Sequence, residues 1–127
     1  MFAGAALIAG VSAALRELSG LTGVHEARPV QAAAPFAVVE AGTELDWSHK
    51  TGAGRELRLS VVLHDEGERP ARLRMLAGEA IGAVATLGAE LDGWRLVSLQ
   101  FVRSMTVAQS TGRWTLTIDW RARMLAV

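Results

Sequence analysis

An alternating run of apolar residues near the middle of the chain constrains the fold more than any other feature. Between Arg55 and His64 every second residue is apolar, at Leu57, Leu59, Val61 and Leu63. Such alternation is typical of a strand with one face on a core and the other on water or a polar neighbour. The chain is therefore expected to build its core against one face of a sheet.

The C-terminal third repeats this pattern over a greater length. It predicts a hairpin of two strands, Trp94 to Ala108 and Arg113 to Leu125, joined by the polar turn Gln109 to Gly112. The last strand has a polar face rich in arginine and threonine. Its apolar face consists of Trp114, Leu116, Ile118, Trp120, Ala122 and Met124.

Two segments have the three- and four-residue apolar spacing of helices. The first runs from about Phe2 to Leu18, and Gly20 provides its stop. The second begins near Pro70 and ends at Gly88. Its stripe, the most regular in the chain, comprises Leu73, Leu76, Ala77, Ala80, Ile81, Val84 and Leu87.

A short strand from Phe36 to Glu40 completes the expected order, α-β-β-α-β-β, and Leu21 to Pro35 is interpreted as an irregular connection. This order predicts an α+β fold, in which a four-stranded, mostly antiparallel sheet carries both helices on its apolar face. With 127 residues and no internal repeat, the chain is expected to form a single domain over residues 1–127.

Composition restricts the partners. Thirteen basic and thirteen acidic residues give a formal net charge of zero, so general attraction to nucleic acid or an anionic membrane is not indicated. The apolar N-terminal run is interrupted by glycines, and its first basic residue, Arg16, follows it. We therefore expect a helix there rather than a signal peptide or a membrane span. A mean hydropathy of +0.25 favours burial of some apolar surface against other subunits.

No catalytic, cofactor-binding or metal-binding pattern is present. Without cysteine there is no thiolate nucleophile, and His25, His49 and His64 lack the spacing of metal ligands. Asp46 and His49 are close enough in sequence for acid–base chemistry, but proximity in a loop does not position a pair. We expect a protein that is not an enzyme and that binds no cofactor or metal.

The segment Gly42 to Gly54 is longer than a hairpin turn requires, and long loops on firm strands often carry contacts with partners. Trp47 lies there outside any apolar periodicity. Either it projects into a partner, as loop aromatics at interfaces do, or it folds back over the end of the sheet. The sequence leaves both interpretations open.

Taken in order, the motifs of the chain resemble the phage-type tail terminator family, also called tail-completion or tail-to-head joining proteins. The matching features span nearly the whole chain. They are the leading helix with the connection Val24 to Val30, the strand entry Ala34 to Val39, Gly42-Thr43-Glu44, Asp46-Trp47-Ser48, Lys50-Thr51-Gly52, the alanine-rich second helix, and Asp92 to Val97 before the closing hairpin. Alanine and arginine richness would suit a gene transfer agent, a domesticated phage-like particle.

The resemblance implies a structural protein that forms a ring, usually of six copies, at the head-proximal end of a tail tube. Its expected partners are other copies of itself, the tail tube protein and the head-neck or connector proteins, with DNA passing through the ring without specific binding. The expected location is the tail or neck of a particle assembled in the bacterial cytoplasm. Contacts with neighbouring subunits or the tube are assigned to Glu44, Asp46, Trp47, Ser48, His49, Lys50, Thr51 and Arg55.

Three other functions compete with this one. A different head–tail connector component would use the same surfaces at another position in the particle. A small α+β ligand-binding or regulatory dimer would need a concave apolar pocket. An enzyme would rely on the loop that holds His49, although no substrate is suggested by the sequence.

Overall fold

The structure, a computed structural model, describes residues 2–127 and contains two helices and six strands. In chain order these are α1 (Ala3–Arg16), β1 (Gly23–His25), β2 (Phe36–Asp46), β3 (Gly54–Glu66), α2 (Ala71–Val84), β4 (Glu90–Leu91), β5 (Trp94–Ser110) and β6 (Arg113–Ala126).

All six strands form one mixed sheet in the order β1-β2-β3-β6-β5-β4. β1 is parallel to β2, and every other neighbouring pair is antiparallel. The predicted α+β class is correct, but the four-stranded sheet is wrong because two short edge strands were missed. β1 has three residues and β4 has two, which is too short for an alternating pattern to emerge.

The predicted end of the first strand was also wrong. β2 continues beyond Glu40 to Asp46, with a shift of register between Ala41 and Glu44 that places Gly42 and Thr43 in a bulge. A bulge absorbs extra residues while the ladder resumes beyond it. The loop expected over Gly42 to Gly54 is therefore only the seven residues 47–53.

The core lies between the helices and one face of the sheet, as predicted. The alternating residues of β3, Leu57 to Leu63, are at most 1% exposed, and the apolar residues of β6 from Leu116 to Met124 are buried opposite them. Both helices contribute to this same cluster. Their buried residues include Leu7, Val11 and Leu15 of α1, and Leu73, Leu76, Ala77, Ala80 and Val84 of α2.

The other face of the sheet carries no helix and is mostly polar. This open face holds cross-strand ion pairs, such as Arg123 with Glu56 at 2.9 Å and Arg103 with Asp119 at 2.8 Å. The sheet is thus asymmetric, with a core on one side and a charged surface on the other.

In the described residues no helix is both long enough and apolar enough to cross a bilayer.

An ion pair between Asp65 and Arg72 links the end of β3 to the first turn of α2. Asp65 is 5% exposed and accepts hydrogen bonds from the guanidinium of Arg72, including one of 2.9 Å from Nε. These bonds lower the pKa of Asp65 below its usual value, against the opposing effect of burial. Removal of the charge should therefore loosen the junction between sheet and helix.

We predict that Asp65→Asn lowers the free energy of unfolding at pH 7 by about 1.5–3 kcal/mol, the usual range for a hydrogen bond to a charged group. Because the folded pKa of Asp65 is depressed, its contribution is present above the unfolded pKa and is lost as the pH falls through the folded pKa. The difference between wild type and variant should shrink below about pH 4. Urea titrations at several pH values measure it, and a difference that is constant with pH would contradict the assignment.

Candidate functional site: the loop between β2 and β3

The loop 47–53 is closed by its own backbone. The Trp47 N–H donates to the carbonyl of Gly54 at 2.9 Å, continuing the β2–β3 ladder into the loop. His49 and Gly52 then exchange two backbone hydrogen bonds, of 2.9 and 3.2 Å. Two successive closures of this kind make the loop a rigid extension of the strands rather than a mobile connection.

Side chains fix the base of the loop. The Ser48 hydroxyl donates to the carboxylate of Asp46 at 2.5 Å and accepts the N–H of Gly54 at 3.1 Å. The hydrogen bond from Ser48 is the main reason that the pKa of Asp46 lies below its usual value, and Arg55 at 3.5 Å acts in the same direction. Asp46 is therefore an ionised, loop-fixing group at neutral pH.

Trp47 folds back over the sheet. Its ring is met edge-on by His49, with centroids 4.6 Å apart, and the guanidinium of Arg123 lies 5.4 Å from its centroid. Arg123 is held in turn by Glu56 at 2.9 Å. Of the two interpretations of Trp47, this is the contact expected from folding back, and it leaves the ring half-buried.

Glu44 and Arg55 stabilise the start of α1. Phe2, the N-cap residue, provides no side-chain bond and the first turn has no acidic residue, but Glu44 accepts the N–H of Gly4 at 3.0 Å. A carboxylate at this place satisfies an orphan donor and complements the helix dipole. Arg55 lies 3.5 Å from Glu44 and 6.0 Å from the Trp94 ring, and so ties the cap to the sheet.

The eight residues assigned to contacts are thus brought together at one end of the sheet, but they differ in their internal bonds. Glu44, Asp46, Ser48 and Arg55 are engaged in the internal bonds described above. Lys50 and Thr51 are exposed at the tip and make no hydrogen bond or ion pair with any of residues 2–127. His49 is exposed beside them, touching Trp47. The exposed assigned side chains that make no internal hydrogen bond or ion pair are therefore found at the tip of the loop.

The structure does not form the acid–base pair of Asp46 and His49 that was considered from the sequence. Asp46 bonds to Ser48 and Arg55 rather than to His49. Among residues 2–127 no cluster of three or more His, Asp or Glu side chains could hold a metal ion. Arg123, which sequence reasoning missed, belongs to the site because the β3–β6 pairing brings it under Trp47, a contact between positions distant in sequence.

A groove of about 630 Å³ lies at the opposite end of the open face, beneath the connection that precedes β2. Its floor includes Val38 and the ring of Phe36, which stacks on His64 at 4.6 Å. Burial and the nearby charge of Arg28 lower the pKa of His64. Because charged and hydroxyl side chains such as Glu40 and Thr117 share the lining, the groove is not a purely apolar pocket.

Comparison with known proteins is decisive for the family. Residues 5–124 match the family described as tail completion protein gp17. The chain belongs to this tail-completion family. This family match confirms the resemblance that was inferred from the order of the motifs. A separate comparison with curated protein sequences gives no match.

A solved structure extends the comparison to a whole particle. The tail-completion chain is similar to a chain in the structure described as the virion of a native gene transfer agent particle, with 28% identity and a TM-score of 0.70. The match covers 99% of this chain and all of the other. The alignment therefore extends over nearly the whole chain, including the segments that form the loop and the long hairpin.

Gly54 offers a test of the loop's rigidity. A β-carbon there would fall inside van der Waals distance of the carbonyl oxygen of Trp47, whereas one at Gly52 would meet nothing within 4 Å. We predict that Gly54→Ala lowers the free energy of unfolding by about 1–3 kcal/mol, as overpacking does, while Gly52→Ala changes it by less than about 0.5 kcal/mol.

Denaturant titration and near-ultraviolet circular dichroism, which reports on tryptophan packing, measure both variants. Gly52→Ala is the matched control, because it makes the same chemical change in the same loop. Equal stability of the two variants would show that the base of the loop is not closed as described.

Proposed function

We propose that this tail-completion protein is a non-enzymatic structural component of a phage-like particle, of the phage or gene transfer agent kind. Six copies form a ring on the head-proximal end of the tail tube, where the ring terminates the tube and joins it to the head. The observation that carries the proposal is the family match over residues 5–124, and the likeness to a chain of a gene transfer agent virion supports it.

The partners follow from this place in the particle. One face of the ring contacts the tail tube protein, and the other receives the head-neck or connector proteins. DNA passes through the ring without specific binding, for which a formal net charge of zero is sufficient. The particle is assembled in the bacterial cytoplasm.

The loop 47–53 supplies contacts with a neighbouring subunit or the tube. Two observations support this contact role. The base of the loop is fixed by internal hydrogen bonds, and Lys50 and Thr51 are exposed at its tip. A rigid, closed loop loses little conformational entropy on docking, so its few exposed side chains can contribute fully to binding. Specificity then comes from the charge of Lys50 and the hydroxyl of Thr51.

The ring is tested by the mass of the purified protein in solution, alone and with tail tubes, followed by electron microscopy of the largest species. A closed ring, free or on tube ends, is the expected result. A compact dimer that ignores tube ends would overturn the proposal in favour of a ligand-binding domain.

Termination is distinguished from another connector role by removing the protein from producing cells. Overlong tail tubes are expected if the ring terminates the tube. Tails of normal length that are capped but carry no head would instead assign the protein to the neck.

The contact role of the loop is tested by charge reversal. We predict that Lys50→Glu reduces the yield of joined particles about tenfold or more, since a repulsive contact replaces an attractive one and tenfold corresponds to about 1.4 kcal/mol. The melting temperature should not change, because Lys50 makes no internal bond.

Arg69→Glu is the matched control, because Arg69 is also exposed and lies beyond the opposite end of β3. Joined particles are counted by electron microscopy after complementation with each variant. Equal yields from the two variants would remove the loop from the contact surface.

A further inference from the structure

The sheet has two long edges that no strand of residues 2–127 covers. On one side β4 pairs only with Trp94 and Arg95, and Leu96 bonds to Ala89, so the outer edge of β5 is free beyond that point as far as Ser110. On the other side β1 pairs only with residues 36–38 of β2. The outer edge of β2 is therefore free from Val39 to Asp46. Free edges of this length are templates for pairing with another chain.

The free edge of β5 also exposes apolar side chains. Val97, Phe101, Val102 and Met105 are 47, 51, 43 and 51% exposed. Both faces of the edge are involved, since Phe101 lies opposite Trp120 of the core and Met105 lies opposite Thr117 of the open face. Burial of these side chains requires a partner that extends the sheet rather than one that covers a single face.

Charge distinguishes the two edges. The free part of β5, residues 97–110, contains one basic residue, Arg103, and no acidic residue. The free part of β2 contains Glu40, Glu44 and Asp46 and no basic residue. Opposite charges on the two free edges favour the pairing of unlike edges from two copies. Two copies of the same edge would repel each other or gain no attraction.

We infer that the free edge of β5 in one copy pairs with the free edge of β2 in the next copy, so that the sheet continues from subunit to subunit. This inference rests on the proposed ring and names its subunit interface. β2 and β5 run in opposite directions within the sheet, so the new pair is antiparallel and the alternation of strands continues. Such head-to-tail contact closes into a ring when the rotation per subunit permits.

The register within the sheet identifies a specific pair of residues. Glu40 lies opposite Ser60, Ser60 opposite Asp119, and Asp119 opposite Arg103. This row crosses the sheet from one free edge to the other. In side-by-side copies without axial offset, Arg103 of one copy therefore faces Glu40 of the next, and Glu40 makes no ion pair within residues 2–127.

The absence of cysteine from the chain permits a direct test. In the double variant Glu40→Cys with Arg103→Cys, the two thiols of one chain are separated by three strand spacings, roughly 14 Å, which is too far for a disulfide. Oxidation of the purified protein, alone and with tail tubes, should give a ladder of covalent oligomers on a denaturing gel. Each single variant should give dimers at most.

The matched control is Ser60→Cys with Arg103→Cys, which places one thiol in the same row but on an interior strand. This control should give no ladder. A ring seen by mass and microscopy without a ladder from the Glu40 and Arg103 pair would overturn the edge pairing and leave the proposed function intact. Absence of any ring, free or on tube ends, would instead overturn the proposed function.

Hydrogen exchange provides a second readout that needs no cysteine. The amides of β5 from Val97 to Ser104 and those of β2 from Val39 to Asp46 should both exchange more slowly in the ring than in the monomer. Slowed exchange on β5 alone, produced by tail tubes on a protein that stays monomeric, would assign this edge to the tube protein and overturn the inference.

Discussion

The pairing of β3 with β6 is the interaction on which the rest of the structure depends. It runs without a register shift from Gly54 opposite Leu125 to Glu66 opposite Arg113. Because side chains alternate strictly, this one register places Leu59 and Trp120 on the core side and leaves the charged residues outside. A slip of one residue would reverse both faces at once, so the core, the open face and the row ending at Arg103 all rely on it.

Sequence alone predicted those helices and strands whose apolar residues recur at regular spacing. β3, β6 and both helices carry enough apolar residues at regular spacing to be identified, and their buried faces were confirmed. Sequence analysis missed β1 and β4, because strands of three and two residues are too short to show an alternating pattern. The bulge at Gly42 and Thr43 resembled a loop, since residues that permit a turn also permit a bulge.

Sequence grouped the candidate site residues in one segment, but it did not give the internal bonds that each of them makes. Local sequence showed that a long polar segment with a tryptophan joins two strands, and the structure gathers its residues at one end of the sheet. It could not show that Glu44 bonds to Gly4, forty residues away, or that Arg123 lies under Trp47. Such contacts arise from register and helix placement, so the division between an internally engaged base and a free tip emerges only in three dimensions.

In the inferred ring, the free edge of β5 pairs with the β2 edge of another copy and has to resist other partners. β5 shifts register against β6 near Val97, Val102 and Gln109, and bulges of this type twist an edge and shorten its regular stretch. β2 carries its own bulge beyond Ala41 and three acidic residues along its free part. In the inferred interface, the stretch between these irregularities that both edges leave free is short, and it contains Arg103 on β5 and Glu40 on β2, whose opposite charges favour this pairing. Under this inference, the bulges and acidic residues that protect the single chain from indiscriminate association leave one register open for ring assembly.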